Sequence, residues 1–215
     1  MTGLYAILDL SVSARGSADP DEALDRALAE AMAGGCRLFQ YRDKTATGRE
    51  MLARATRLAT ACRAADATFI VNDRLDVALL CGADGCHLGQ DDLPPSAARR
   101  LAPAGFLIGV STHDASEARR AADDGADYVG VGAVYPTETK ADARPARGPA
   151  LVAEIAAAVA IPSVAIGGIT HRNVRPVIHA GAAAVAVASA LFAAPDIAAS
   201  AREFIRIWDE EKRNP

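Results

Sequence analysis

Aromatic side chains make up only 5% of the 215 residues, while hydrophobic residues in total reach 51%. A core this poor in rings must close with alanine and other small aliphatics, which suits helices packed tightly on a sheet. No apolar run approaches the ~20 residues that a membrane span needs, so no membrane partner is expected. The net charge of −4 argues against the broad basic face that nucleic acid requires. Cysteine is sparse, and Cys36, Cys62, Cys81 and Cys86 form no C-x-x-C pair. All lie in apolar segments, and the expectation is buried reduced thiols, not zinc. Met1 to Leu10 has neither the basic start nor the apolar stretch of a secretory leader. A cytoplasmic protein with small-molecule partners is expected; the oligomeric state stays open, a homo-oligomer included.

The scarcest polar residues are the most informative. Lysine occurs only at 44, 140 and 212, glutamine only at 40 and 90, and asparagine only at 72, 173 and 214. Apart from 212 and 214 in the tail, each falls in or beside a predicted strand-to-helix loop. A chain that elsewhere writes arginine and alanine has kept an ammonium or an amide at those points.

Periodicity gives eight strand-plus-helix units. The strands are predicted at Leu4–Leu8, Cys36–Tyr41, Thr68–Val71, Gly85–Leu88, Leu107–Val110, Tyr128–Val131, Ser163–Ile166 and Ala184–Val187. Their unbroken apolar character fits parallel strands covered on both faces. Capping signals open several helices between them: Asp19-Pro20-Asp21-Glu22, Thr47-Gly48-Arg49-Glu50 and Asp114 to Glu117. Met51, Ala55, Leu58 and Cys62 form the core stripe of one helix. Phe204, Ile205 and Trp208 are the predicted anchors of the last. Eight such units close into an α/β fold, a (β/α)8 TIM barrel, with 1–215 as a single domain. An open doubly wound sheet is the alternative, and the count of eight disfavours it.

In a parallel barrel the ligand lies at the carboxyl ends of the strands. The third strand ends in Asn72-Asp73, and Asp92 follows the fourth. Asp73 and Asp92, with Asn72 beside them, are hard oxygen ligands suited to Mg²⁺ held against a phosphate. Asp73 also reads as a helix N-cap. Arg42 and Lys44 from the second strand and Lys140 from the long loop after the sixth add positive charge. These cations and a carboxylate-bound Mg²⁺ match a diphosphate better than a monophosphate. A second anion site is predicted where Gly167-Gly168 and the short helix from Ala188-Ser189 offer backbone N–H groups. His113 reads either as a general base or as a hydrogen-bonded loop histidine. His87, His171 and His179 show no ligand spacing.

Several loop motifs in fixed order resemble the thiamine phosphate synthase family. They are Gln40-Tyr41-Arg42-Asp43-Lys44, Val71-Asn72-Asp73-Arg74, the stretch from Ala83 to Leu93 containing Gly89-Gln90-Asp91-Asp92, Gly109-Val110-Ser111-Thr112-His113, Gly125 to Gly130, Tyr135-Pro136-Thr137-Glu138-Thr139-Lys140 and Ile166-Gly167-Gly168-Ile169. The resemblance implies a transferase that joins hydroxymethylpyrimidine diphosphate to a thiazole phosphate or its carboxylate, releasing diphosphate. It implies Mg²⁺ on Asp73 and Asp92. Gln40, Tyr41, Arg42, Asp43, Lys44, Asn72, Ser111 and Lys140 would hold the pyrimidine diphosphate, with Lys140, Arg42 and Lys44 acting catalytically. Thr137, Glu138, Thr139, Gly168, Ala188 and Ser189 would hold the thiazole phosphate. Departures are Tyr41 where the family often has leucine, Leu8-Asp9 where threonine is usual, and the small Ala188. Two further readings are a thiazole tautomerase on the same barrel and a non-catalytic phosphate sensor. The retained Arg42, Lys44, Asn72, Asp73, Asp92 and Lys140 argue against the tautomerase, which needs no diphosphate pocket.

Overall fold

Successive side chains on a strand point to opposite faces, and that alternation sorts the apolar runs into two cores. In the first strand Leu4, Ala6 and Leu8 join the large cluster beneath the helices, while Tyr5 and Ile7 join a smaller one. The smaller cluster adds Leu38, Ile70, Tyr128, Val164, Ala184 and Ala186, one or two from most strands. It therefore fills the barrel axis, as side-chain layers do in this architecture.

The computed structural model describes residues 1–137 and 145–213. Its strands are β1 (Gly3–Asp9), β2 (Leu38–Arg42), β3 (Thr68–Asn72), β4 (Gly85–Leu88), β5 (Leu107–Thr112), β6 (Tyr128–Val131), β7 (Ser163–Ile166) and β8 (Ala184–Val187). They pair in sequence order, all parallel, and β8 returns to β1, closing the predicted barrel. Ala6 sits beside Phe39 of β2 on one side and Val187 of β8 on the other.

The helices are α1 (Leu10–Ser13), α2 (Pro20–Ala33), α3 (Gly48–Ala64), α4 (Leu75–Cys81), α5 (Pro95–Arg99), α6 (Ala115–Asp123), α7 (Pro149–Ala158), α8 (Val174–His179), α9 (Ser189–Phe192) and α10 (Ile197–Arg213). The predicted caps form. Asp19 accepts from the N–H groups of Asp21 and Glu22, Thr47 and Glu50 complete a capping box, and Asp114 accepts from Glu117. Met51, Ala55, Leu58 and Cys62 are buried on α3. On α10 the buried anchors are Phe204, Ile207 and Trp208; Ile205 is only half-buried, because the stripe turns toward 207. All four cysteines are buried and free. The helix α1 is not foreseen in the sequence. It exists because Asp9 turns the end of β1 into an N-cap, accepting from Ser11 N–H at 3.0 Å. None of the described helices is long and apolar enough to cross a membrane.

Candidate active site

One cavity of about 370 Å³ opens at the carboxyl end of the strands. Its walls bring together Gln40, Arg42, Lys44, Asn72, Asp73, Asp92, Ser111, Thr137, Gly168, Ala188 and Ser189, residues from seven strand ends and their loops. The strand period explains the choice. Gln40 and Arg42 take the inward positions of β2, and Asn72 takes the inward position of β3, level with the next turn of the axis layer.

The wall built by β1 to β4 is charged. Arg42 forms an ion pair with Asp9, a carboxylate only 2% exposed. Lys44 reaches across from the loop after β2 and pairs with Asp73. Asp73 has a left-handed backbone, φ +62°, and its N–H donates to the carbonyl of His87 at 2.7 Å. It is not the N-cap of α4: that position is Arg74, and no side chain caps the helix. Asp92 is locked by the N–H of Gly89 at 2.7 Å. Its carboxyl lies above the ordinary range, chiefly through burial and then through the neighbouring Asp73 carboxylate, against the pull of the Gly89 N–H and Lys44. A buried Asp92 carboxyl raised by its Asp73 neighbour marks a place with room for more positive charge than Lys44 supplies. Among the described residues no cluster of three or more His, Cys, Asp or Glu could hold a metal. A cation here would therefore rest on Asp73 and Asp92, with Asn72 nearby and water or ligand oxygens completing the shell. That hard, sparse donor set fits Mg²⁺.

The wall built by β7 and β8 is neutral. Gly168 has φ +62°, and a Cβ there would lie 2.4 Å from the carbonyl oxygen of Pro136. Only glycine allows the backbone to turn at that point. Asn173 clamps the turn, donating Nδ2–H to the Gly168 carbonyl at 2.9 Å and accepting from Thr170 N–H at 2.7 Å. Among the described residues no side chain caps α9, and Ala188 and Ser189 at its start line the cavity. Ile166 adds an apolar side chain, 38% exposed, between this wall and the axis.

The floor was not legible from motifs. Gln40 donates to the Tyr5 hydroxyl at 2.9 Å, the hydroxyls of Tyr5 and Tyr128 are 3.1 Å apart, and His87 bridges Tyr128 and Ser111 at 3.1 and 2.9 Å. A Cβ on Gly109 would sit 2.1 Å from the Tyr128 ring, so glycine there makes space for the aromatic. Asp9, Tyr5, His87 and Tyr128 all line the cavity and escaped the sequence reading. A signal existed: each occupies the inward phase of its strand, the phase set by Gln40 and Arg42. Gln90 also lines the cavity, and its amide donates to the Ser111 carbonyl at 2.6 Å.

Other expected residues lie elsewhere. Tyr41 is fully buried on the outward face of β2 and donates its hydroxyl to Asp43 at 3.0 Å. Asp43 accepts from Thr45 and Ala46 N–H, both at 2.9 Å, and pairs with Arg54. Neither side chain lines the cavity; the period of two that turns Gln40 and Arg42 inward turns Tyr41 outward. His113 lines the rim with both its backbone N–H and Nδ1 on Glu117, the hydrogen-bonded arrangement. Glu138, Thr139 and Lys140 lie outside the described residues.

Comparison with known proteins places this geometry. The family model for thiamine monophosphate synthase matches residues 10–191. A thiamine-phosphate synthase of Methanospirillum hungatei is 54% identical over 175 residues, covering 81% of this chain and 85% of that protein. One from Methanoculleus marisnigri is 48% identical over 199 residues, covering 93% and 92%. A solved structure of thiamine phosphate pyrophosphorylase from Pyrococcus furiosus superposes with a TM-score of 0.86 at 38% identity, covering 97% of this chain and 96% of that one. With a family model spanning most of its length, and relatives this similar along nearly all of it, the chain belongs to the thiamine monophosphate synthase family.

Proposed function

We propose that the cavity divides its two substrates between its two walls. The chain is a transferase that condenses hydroxymethylpyrimidine diphosphate with a thiazole phosphate, giving thiamine phosphate and diphosphate. The single observation that supports the division is the contrast in lining: Arg42, Lys44, Asp73 and Asp92 on one side, Gly168, Ala188 and Ser189 on the other.

In this reading the diphosphate lies against the charged wall. Mg²⁺, held by Asp73 and Asp92, would supply extra positive charge to the departing diphosphate. Arg42 and Lys44 stabilise the same charge, and Lys140 from the loop after β6 joins them. Gln40, Asn72 and Ser111 hold the pyrimidine ring. Tyr41 and Asp43 act indirectly, bracing the loop that carries Lys44. Thr137, Gly168, Ala188 and Ser189 moor the thiazole phosphate, with Glu138 and Thr139 following in the same loop. Ile166 offers the thiazole ring an apolar seat.

No covalent enzyme intermediate is required. The methylene C–O bond breaks and its electron pair leaves with the diphosphate. The thiazole nitrogen lone pair forms the new C–N bond, and the positive charge ends on the thiazolium. The electron-rich aminopyrimidine tolerates positive charge at its methylene, which favours a dissociative displacement. The phosphate tether sets the nitrogen in line, replacing a bimolecular encounter by a positioned one.

A coupled diphosphate assay tests the reading. Release that needs both substrates and Mg²⁺ is the expected result. Thiazole isomerisation without diphosphate would point to the tautomerase, and binding without turnover to a sensor.

A further inference from the structure

The floor side chains form one continuous hydrogen-bonded chain, Gln40–Tyr5–Tyr128–His87–Ser111, with links of 2.9, 3.1, 3.1 and 2.9 Å. Its two ends are the groups assigned above to the pyrimidine ring. Its three middle members have no part in that reading.

Such a chain has a direction. Each phenol carries one proton to donate, and burial pushes both Tyr5 and Tyr128 far above the ordinary phenol range, so neither loses it. Gln40 Nε2–H donates to the Tyr5 oxygen. Because the Tyr5 oxygen already accepts from Gln40, its own proton is assigned to Tyr128 and the Tyr128 proton to His87 Nδ1, the one direction that leaves each of these protons an acceptor within the chain. A neutral imidazole whose Nδ1 accepts must carry its proton on Nε2, and that proton goes to Ser111 Oγ. A charged imidazolium would donate from both nitrogens and leave the Tyr128 proton with no acceptor in the chain. The Ser111 proton is thus turned away from His87 toward the cavity, and the Gln40 carbonyl is left to accept there.

We infer that this relay is a specificity device: Tyr5, Tyr128 and His87 are positioning residues that fix Ser111 as donor and the Gln40 carbonyl as acceptor, selecting an aminopyrimidine diphosphate over an oxopyrimidine diphosphate. The aminopyrimidine offers an amine donor and ring-nitrogen acceptors. The oxo compound offers a carbonyl acceptor and a ring N–H donor, the reverse pattern, and a buried site with its own polarity set rejects the mismatch. The inference rests on placing the pyrimidine at Gln40 and Ser111.

Tyr128→Phe keeps the ring over Gly109 and removes the central link. His87 can then adopt either tautomer, and Ser111 can donate or accept. Calorimetric titration of the wild type and the variant with each diphosphate, in Mg²⁺ and without thiazole phosphate, reads the preference; imidazole nitrogen NMR reads the tautomer. The expected result is the Nε2–H tautomer in the wild type, a mixture in the variant, and a preference for the amino compound that narrows by about tenfold or more. Tyr5→Phe cuts the same chain one link away and should narrow the preference too; it decides the matter if Tyr128→Phe does not fold. An Nδ1–H tautomer in the wild type, or affinities for the two compounds that fall alike, would overturn the relay while the aminopyrimidine site stood. A wild type that binds neither diphosphate would sink the underlying placement and the relay with it.

Discussion

The cavity wall from β1 to β4 carries Asp9, Arg42, Lys44, Asp73 and Asp92, whereas the wall from β7 and β8 presents Gly167, Gly168, Ala188 and Ser189 and, among the described residues, no charged side chain. Both suit anions, by different physics. Side-chain charges and a metal answer a charge that grows during reaction, and they act most strongly in a water-poor site. Backbone N–H groups in a fixed turn answer a charge that stays constant, and they need glycine for close approach. In the proposed reading, that difference separates the anion that leaves from the one that only tethers.

The largest break of that contrast is Asp73→Ala. Turnover should fall on the order of 10²-fold or more, as when other charge stabilisers are removed, while calorimetric affinity for thiazole phosphate stays unchanged. Chelation of Mg²⁺ should reproduce that pattern in the wild type. Equal damage to both ligands would erase the distinction between the walls.

Gly168→Val is the mirror test. A side chain at φ +62° against the Pro136 carbonyl strains the turn, and the KM for thiazole phosphate should rise about tenfold or more, with pyrimidine diphosphate affinity held. A shift in the pyrimidine site instead would show that the walls are not separable.

Tyr41→Phe sharpens the boundary of the charged wall. It removes one buried hydrogen bond to Asp43 and should cost about 1 kcal/mol in urea unfolding, with kcat and both KM values unchanged. A fall in kcat would return Tyr41 to the site.

The smallest effect is confined to acid. Burial works against the Asp43 charge, but the N–H groups of Thr45 and Ala46 and the hydroxyls of Thr45 and Tyr41 outweigh it, holding the carboxyl below its ordinary value of 3.8. A depressed folded pKa contributes stability that is present above that ordinary value and is lost as pH falls through the folded one. Asp43→Asn should therefore flatten the acid limb of the unfolding profile below about pH 4, leaving catalytic pH dependence alone. A variant with an unchanged acid limb would refute it.

Much of this was legible in the chain. Caps at Asp19, Thr47 and Asp114 act within a few residues, so local sequence suffices to place α2, α3 and α6. Eight apolar runs, each followed by a helix, left few closed architectures available. Gln40, Lys44 and Asn72 stood out because the chain uses lysine and amides so sparingly, and Arg42, Asp73 and Asp92 because they stand at or just beyond predicted strand ends. Neither rarity nor family resemblance placed every residue correctly, however. Asn173 braces the Gly168 turn and does not line the cavity, and Tyr41 and Asp43 belong to the outward face that supports the loop.

By itself the sequence determined the strand count, the caps and the residues able to carry charge at the strand ends, because these follow from short-range periodicity and composition. The tertiary structure alone decided which of them share one cavity. Tyr5 and Tyr128 are separated by 123 positions and meet by a hydroxyl contact across the barrel axis. Asp9 finds Arg42 only when β1 lies beside β2. Closure of the sheet sets the register between strands, and register, which no single segment encodes, chooses the partners of every inward side chain.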